Sequence, residues 1–166
     1  CFAFLSTVPK GVFIMFVSRV KRYFFLVTTL VLAAVIVGCP SQVVEFADPA
    51  IEAAVREAIN IPEGELTASD VWFVSGLDVT GKNIQNLAGL EHLIFLGWLN
   101  LADNSISDLS PLTNLRGIKM LYLYNNDIVE LSPLAGLRGL IELNLSHNNF
   151  SDISPLGSLG ELTGMD

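Results

Sequence analysis

The residues from Leu99 to Leu162 repeat one pattern at a fixed interval of 22 positions. Three successive copies read LNLADNSISDLSPLTNLRGIKM, LYLYNNDIVELSPLAGLRGLIE and LNLSHNNFSDISPLGSLGELTG. Three residue types return in phase, in the columns Leu101, Leu123 and Leu145; Asn104, Asn126 and Asn148; and Pro111, Pro133 and Pro155. A period in the low twenties is typical of solenoids built from strand-plus-turn units. The chain is therefore predicted to stack repeats along one axis.

The run LxLxxNxI resembles the leucine-rich repeat, and the 22-residue unit with its Ser-Pro-Leu turn resembles the variant found in bacterial internalins. This resemblance implies an α/β fold, a right-handed leucine-rich repeat solenoid with parallel strands on the concave face and an N-terminal helical cap. Counting back 22 positions adds an earlier unit, so residues 77–166 contain four units, which start at Leu77, Leu99, Leu121 and Leu143. A fifth begins at Met165 without a visible C-terminal cap, which we interpret as a truncated gene product or a sequence fragment.

Residues 45–76 are predicted to form the helical cap. Asp48 precedes Pro49, and this pair opens a helix because the carboxylate caps free N–H groups while proline gives up a donor that has no partner there. Thr67 and Asp70 have the spacing of a capping box. One apolar helix face is predicted to contain Ile51, Ala54, Val55, Ala58 and Ile59. The segment is similar to the cap of internalin-like proteins, and such a cap shields the apolar edge of the first repeat.

The charge of the chain changes at Cys39. Residues 1–38 contain four basic and no acidic residues, whereas the remainder has five basic against 17 acidic residues, a net charge of −12. Residues 1–14 lack an initiator methionine and are predicted to be upstream, non-native sequence. Residues 15–38 combine basic residues with a short apolar run and are predicted to be a lipoprotein signal peptide. The sequence Ile-Val-Gly-Cys at 36–39 resembles the lipobox of bacterial lipoproteins, in which the cysteine is acylated and becomes the mature N-terminus.

Other interpretations of Cys39 are a buried small hydrophobic residue, a disulfide partner of Cys1, or part of an uncleaved anchor helix. Residues 39–44 are predicted to form a tether, so that the protein is an extracytoplasmic, membrane-anchored lipoprotein at the cell envelope or surface. The acidic balance argues against nucleic acid as a partner, and against adhesion of the protein surface to anionic lipid.

Strand residues alternate between the core and the solvent, which places candidate binding residues on the concave face. The candidates for partner binding are Trp98, Asn100, Asp103, Met120, Tyr122, Tyr124, Asn125, Glu142, Asn144 and His147, and the outward columns also include Thr80, Ala102 and Ser146. Trp98, Tyr122 and Tyr124 stand out because large amphipathic rings are enriched in binding hot spots. The alternative is that these rings stack on one another and stabilise the sheet. In the family, the column of Asn104, Asn126 and Asn148 forms a buried structural ladder.

No catalytic residue, metal site or cofactor is predicted. Ser146 and His147 are adjacent in a strand and should point to opposite sides, and the motif GxSxG is absent from the sequence. The predicted function is that of an extracytoplasmic, lipid-anchored leucine-rich repeat protein. It would bind a protein or carbohydrate through its concave face and the membrane through lipidated Cys39. The alternative is a structural or tethering scaffold that presents a larger C-terminal region, and an enzyme is a distant third.

Overall fold

The structure, a computed structural model, describes residues 42–165. The predictions for the upstream stretch, the signal peptide and Cys39 lie outside these residues. Five parallel strands form one sheet in chain order. They are β1 (Gly76–Asp78), β2 (Trp98–Asn100), β3 (Met120–Tyr122), β4 (Glu142–Asn144) and β5 (Gly164–Met165).

The strand register follows the sequence repeat. Leu77 pairs with Leu99, Leu99 with Leu121, Leu121 with Leu143, and Leu143 with Met165, each pair being 22 positions apart. The central residue of each of the first four strands is buried, and its neighbours on both sides are more exposed. The predicted parallel-stranded repeat fold is therefore confirmed.

Short 3₁₀ helices return the chain from one strand to the next. They span Leu90–His92, Ser110–Leu112, Ser132–Gly136 and Ser154–Ser158. Proline lies near the start of the last three, where its fixed φ suits a turn and its missing N–H breaks no helical hydrogen bond. This agrees with the expectation that the Ser-Pro-Leu motif forms short extended or 3₁₀ pieces rather than full helices.

The last three 3₁₀ helices begin at a serine, and an acidic side chain two residues before that serine caps each of them. The backbone N–H of the serine donates a hydrogen bond to Asp108 at 2.8 Å, to Glu130 at 2.9 Å and to Asp152 at 2.8 Å. These hydrogen bonds favour the ionised carboxylates and lower the pKa of all three. The sequence analysis did not single out this column, although the acids recur every 22 residues.

The core is one continuous apolar cluster from the cap to the last 3₁₀ helix. Each fully buried leucine or isoleucine in it contributes about 1.5–3 kcal/mol through removal of apolar surface from water. Helix α1 (Pro49–Ile59) closes one end with Ile51 and Val55, which have no exposed surface. Ala58 was predicted to share this face but is exposed, whereas Ala54 and Ile59, predicted with it, are partly buried against the core.

The cap is held by local capping and by the segment before it. Asp48 accepts a hydrogen bond from the Ala50 N–H at 2.8 Å. Helix α2 (Ala68–Val71) follows a capping box in which the Thr67 N–H donates to Asp70 at 2.8 Å. None of the helices in residues 42–165 has the length and apolar character needed to cross a membrane.

The last residues of the predicted tether belong to the packed domain. The Val44 N–H donates to the Leu66 carbonyl at 2.8 Å, and the Ala68 N–H donates to the Gln42 carbonyl at 3.0 Å. Val44 is 4% exposed, so residues 42–44 already contact the cap.

The segment before the cap also requires glycine at position 89. Gly89 has a φ of +105°, and a Cβ there would lie 2.7 Å from the carbonyl oxygen of Glu45.

Candidate functional site

A ladder of three asparagines ties the strand ends together and so fixes the concave surface. The Asn126 Oδ1 accepts from the Ile106 N–H at 3.0 Å, while its Nδ2 donates to three backbone carbonyls. Asn104 and Asn148 have equivalent partners in the neighbouring turns, although they are half-buried rather than buried as predicted. A buried amide must satisfy its polar atoms, and here it does so with backbone groups of two adjacent repeats. The strands are thereby held at a fixed spacing and register.

The first outward column on the concave face contains three large side chains between two glycines. Its members, in register across the five strands, are Gly76, Trp98, Met120, Glu142 and Gly164. Trp98 is half-buried and lies over Gly76, where a Cβ would be 3.1 Å from its Cε3 atom. Met120 is 37% exposed, and Glu142 borders a depression of about 430 Å³ next to β5. We call Trp98, Met120, Tyr122 and Glu142 the concave patch.

A hydrogen bond across two strands orders the concave patch. The Tyr122 hydroxyl donates to the Glu142 Oε1 at 2.9 Å. This bond, with desolvation and the nearby negative charge, raises the pKa of Tyr122, and the adjacent Trp98 indole opposes the shift. The contact joins two residues, Tyr122 and Glu142, that belong to two separate outward columns.

The alternative that Trp98, Tyr122 and Tyr124 stack on one another does not describe this surface. Among residues 42–165, the aromatic rings that stack are those of Phe73 and Phe95, whose centroids are 6.4 Å apart at an interplanar angle of 7°. Ala102 was predicted to face outward but is fully buried, because a single methyl group does not reach above its larger neighbours.

Two predicted contact residues, Asn100 and Asn144, are turned back onto their own strands. The Asn100 Oδ1 accepts from the Ala102 N–H at 3.2 Å, and the Asn144 Oδ1 accepts from the Ser146 N–H at 3.0 Å. Asp78 makes the same contact with Thr80, whose side-chain hydrogen bond is the main cause of the lowered pKa of Asp78. Such contacts end a strand by giving its backbone a local partner.

The residue types in the column of Gly81, Asp103, Asn125 and His147 are explained by the backbone conformation there. Asp103, Asn125 and His147 have φ values of 56°, 55° and 55°, and Gly81 has 65°. The left-handed region is favourable for glycine and is tolerated by Asn, Asp and His far better than by other residues. The Asn125 Nδ2 also donates to the Asp103 Oδ1 at 2.7 Å, which links two of these turns. The residue types in this column therefore follow from the turn as much as from any ligand.

Polar side chains of the concave face hydrogen-bond to one another or to the nearby backbone. The Ser146 hydroxyl donates to the Asn144 Oδ1 at 2.7 Å rather than to His147. In the part of the chain that the structure describes, no three His, Cys, Asp or Glu side chains are grouped so as to hold a metal ion. What the face offers is an exposed, rigid contact surface.

A second exposed group, which the sequence analysis missed, lies just before the strands. Phe73 is 81% exposed and Phe95 is 59% exposed, and their neighbours Trp72 and Ile94 are 41% and 49% exposed. The signal was present in the sequence, because Phe73 and Phe95 are 22 positions apart, as are Trp72 and Ile94.

Comparisons with known proteins agree with this geometry. Residues 117–158 match the family model described as leucine-rich repeats (2 copies). An internalin (inlF) from Listeria monocytogenes is 31% identical with a TM-score of 0.69, and the match covers 73% of this chain and 36% of that one. Internalin C2 from the same organism is 32% identical with a TM-score of 0.69, and the match covers 72% of this chain and 54% of that one.

The functional domain of InlJ from Listeria monocytogenes shares the fold at 21% identity with a TM-score of 0.65, and the match covers 75% of this chain and 29% of that one. The chain thus spans about a third to a half of the two internalins it resembles at higher identity. Comparison with curated proteins gives no significant match. The repeats, the sheet and these similarities together lead to one conclusion: residues 42–165 form a leucine-rich repeat domain with an internalin-like fold.

Proposed function

We propose that the protein is an extracytoplasmic, lipid-anchored binding protein whose concave patch is the ligand-binding surface. The observation that carries this proposal is the grouping of Trp98, Met120 and Glu142 in one column of the sheet, with Tyr122 hydrogen-bonded to Glu142 beside it. Aromatic residues and methionine are enriched in protein interfaces, and tryptophan and tyrosine are frequent hot spots. Because the Tyr122 hydroxyl is already bound to Glu142, less side-chain freedom is lost when a partner binds.

A protein is the favoured ligand over a glycan. Met120 is the register partner of both Trp98 and Glu142, so an adaptable apolar side chain lies at the centre of the concave patch. The exposed carboxylate of Glu142 supplies an acceptor for a basic side chain at the rim. A partner surface with an apolar anchor beside an Arg or Lys would complement this arrangement.

Photo-crosslinking tests the location of the binding surface. A benzophenone side chain replaces Tyr122 in one variant and Val129 in the other, in the full chain displayed on its own membrane. Val129 is a matched control because it is 62% exposed and lies outside the concave face. We expect a specific protein adduct from position 122 and none from position 129. Equal adducts from both positions would contradict the proposal.

The identified partner then allows a quantitative test. Changing Trp98, Tyr122 and Tyr124 together to Ser should weaken binding at least about 30-fold, the equivalent of one hot-spot residue of about 2 kcal/mol. The melting temperature should stay within about 4 °C, the shift that corresponds to about 1 kcal/mol. Unchanged affinity would show that the concave patch is not the interface. A large loss of stability would show that the rings are structural, and Val129→Ser serves as the control.

The lipid anchor is proposed from the sequence of residues 15–39. A basic start, a short apolar run and the lipobox-like sequence before Cys39 support it. Intact mass of the membrane-extracted protein, with its N-terminal peptide, is the test. We expect an acylated Cys39 as the first residue, and loss of membrane attachment in Cys39→Ala. An unmodified chain that begins near Met15 would instead indicate an anchor helix.

A further inference from the structure

The amino ends of parallel strands meet at one edge of the sheet, and this edge has an unusual composition. Two columns lie three and four residues before the strands. One contains Trp72, Ile94, Arg116, Arg138 and Gly160, and the other contains Phe73, Phe95, Gly117, Gly139 and Glu161. The backbone confirms their adjacency, since a Cβ on Gly117 would be 3.5 Å from the Ile94 carbonyl and one on Gly139 would be 3.5 Å from that of Arg116. We call these two columns the strand-start edge.

The half of the strand-start edge nearer the cap is apolar. Trp72, Phe73, Ile94 and Phe95 are between 41% and 81% exposed. The two phenylalanine rings stack on each other, so they form a raised, ordered apolar surface rather than isolated side chains. A contiguous exposed apolar surface of this kind marks a site of contact with a partner or a membrane.

The other half of the strand-start edge is basic. Arg116 and Arg138 are exposed. The Lys119 ammonium extends over Gly139, where a Cβ would be 2.7 Å from its Nζ, and it pairs with Glu161 at 3.7 Å. Three of the five basic residues after Cys39 therefore lie at or beside this edge, against one acidic residue of the edge, Glu161. The acidic overall composition, which argues against binding to anionic lipid, conceals this local concentration of positive charge.

Gln42, the first residue that the structure describes, lies close to the apolar half. The Gln42 carbonyl accepts a hydrogen bond from the Ala68 N–H at 3.0 Å, and α2 leads directly from Ala68 to Trp72. Cys39 is three residues before Gln42 in the sequence. An extended segment of that length spans at most about 10 Å. A lipid on Cys39 would therefore hold the membrane near Trp72 and Phe73.

We propose that the strand-start edge rests on the lipid–water interface of the membrane that holds Cys39, an inference that depends on the proposed lipid anchor. Trp72, Phe73, Ile94 and Phe95 enter the interfacial layer, which tryptophan and other amphipathic rings favour. Arg116 and Arg138 face the lipid phosphates, with which guanidinium groups form charge-assisted hydrogen bonds. The strand-start edge then faces the membrane, and the concave patch remains accessible to a ligand.

The two tryptophans of the chain test this orientation directly, because one lies at the strand-start edge and the other on the concave face. Acylated full-length protein is reconstituted into vesicles of phosphatidylglycerol and phosphatidylcholine with brominated acyl chains. Trp98→Phe leaves Trp72 as the reporter, and Trp72→Phe leaves Trp98. We expect the brominated lipid to quench Trp72 and to leave the emission of Trp98 unchanged. Phe73→Ser with Phe95→Ser should reduce the quenching, and Val129→Ser should preserve it.

The outcomes separate the orientation from the anchor. If the protein floats with the vesicles through an acylated Cys39 but Trp72 is not quenched, the edge proposal is overturned while the anchor stands. The strand-start edge would then be a site for another protein. Equal quenching of Trp72 and Trp98 overturns the proposed orientation. A chain that carries no lipid and does not float overturns both proposals.

Discussion

Replacing Asn126 with alanine should destabilise the domain by an amount that the hydrogen-bond network determines. Asn126 is 6% exposed and contacts four backbone groups. In Asn126→Ala, the carbonyls of Leu101, Leu123 and Tyr124 each keep another donor among the described residues. The N–H of Ile106 loses the Oδ1 acceptor that it has in the structure.

These losses give an expected magnitude. A buried N–H left without a partner costs about 1–3 kcal/mol, and three weakened carbonyl contacts bring the loss of unfolding free energy to about 2–4 kcal/mol. For a domain of this size, the melting temperature should fall by roughly 8–16 °C. Urea unfolding of the full chain in mild detergent measures the free energy, and a thermal scan measures the melting temperature, both followed by circular dichroism.

The matched control is Asn149→Ala, which removes the same side chain from an exposed position. This change should alter the unfolding free energy by no more than about 0.5 kcal/mol. If Asn126→Ala costs no more than Asn149→Ala, the reasoning that the buried amide holds adjacent repeats together is refuted.

Two further predictions concern the backbone and pH. Gly89→Ala should lower the unfolding free energy by more than about 2 kcal/mol, because its Cβ would overlap the backbone of the preceding segment. Gly81→Ala should lower it by only about 1 kcal/mol, because Gly81 has a φ of +65° but open space around it. Equal losses in thermal unfolding would contradict this difference. The pKa values of Asp108 and Asp152 are lowered in the folded state, chiefly by backbone N–H donors. The unfolded state therefore binds more protons than the folded state. The stabilisation from these caps is lost as the pH falls through the folded pKa, below about pH 4. The double variant Asp108→Asn and Asp152→Asn should flatten the fall in melting temperature on the acid side, and an unchanged profile would show that these caps contribute nothing.

The elements that repeat were predictable from the sequence. The register of Leu77 with Leu99 and the later leucines follows from the 22-residue interval, since parallel strands of identical units align equivalent positions. The 3₁₀ turns follow from the Ser-Pro-Leu motif. The two helix starts follow from capping residues, namely Asp48 for α1 and the Thr67–Asp70 pair for α2.

The features that the sequence did not predict concern individual side chains at positions where the repeats differ. Alternation along a strand predicted that Ala102 faces solvent, yet its burial depends on the size of neighbouring side chains, which alternation does not include. The hydrogen bond from Tyr122 to Glu142 joins residues of different columns, so it depends on side-chain rotamers. Phe73 and Phe95 were overlooked because their column continues as Gly117 and Gly139, which hides the pair from a search for repeated residue types.

The sequence by itself determined the architecture, because one 22-residue pattern of leucine, asparagine and proline specifies the same strand, ladder and turn in each repeat. Only the tertiary structure decided which surfaces are available for contact. The concave patch and the strand-start edge arise where residues outside the leucine, asparagine and proline columns meet across adjacent units. Stacking identical backbones fixes the spacing of these residues, and their own shapes, charges and hydrogen bonds then determine what each surface presents to a partner.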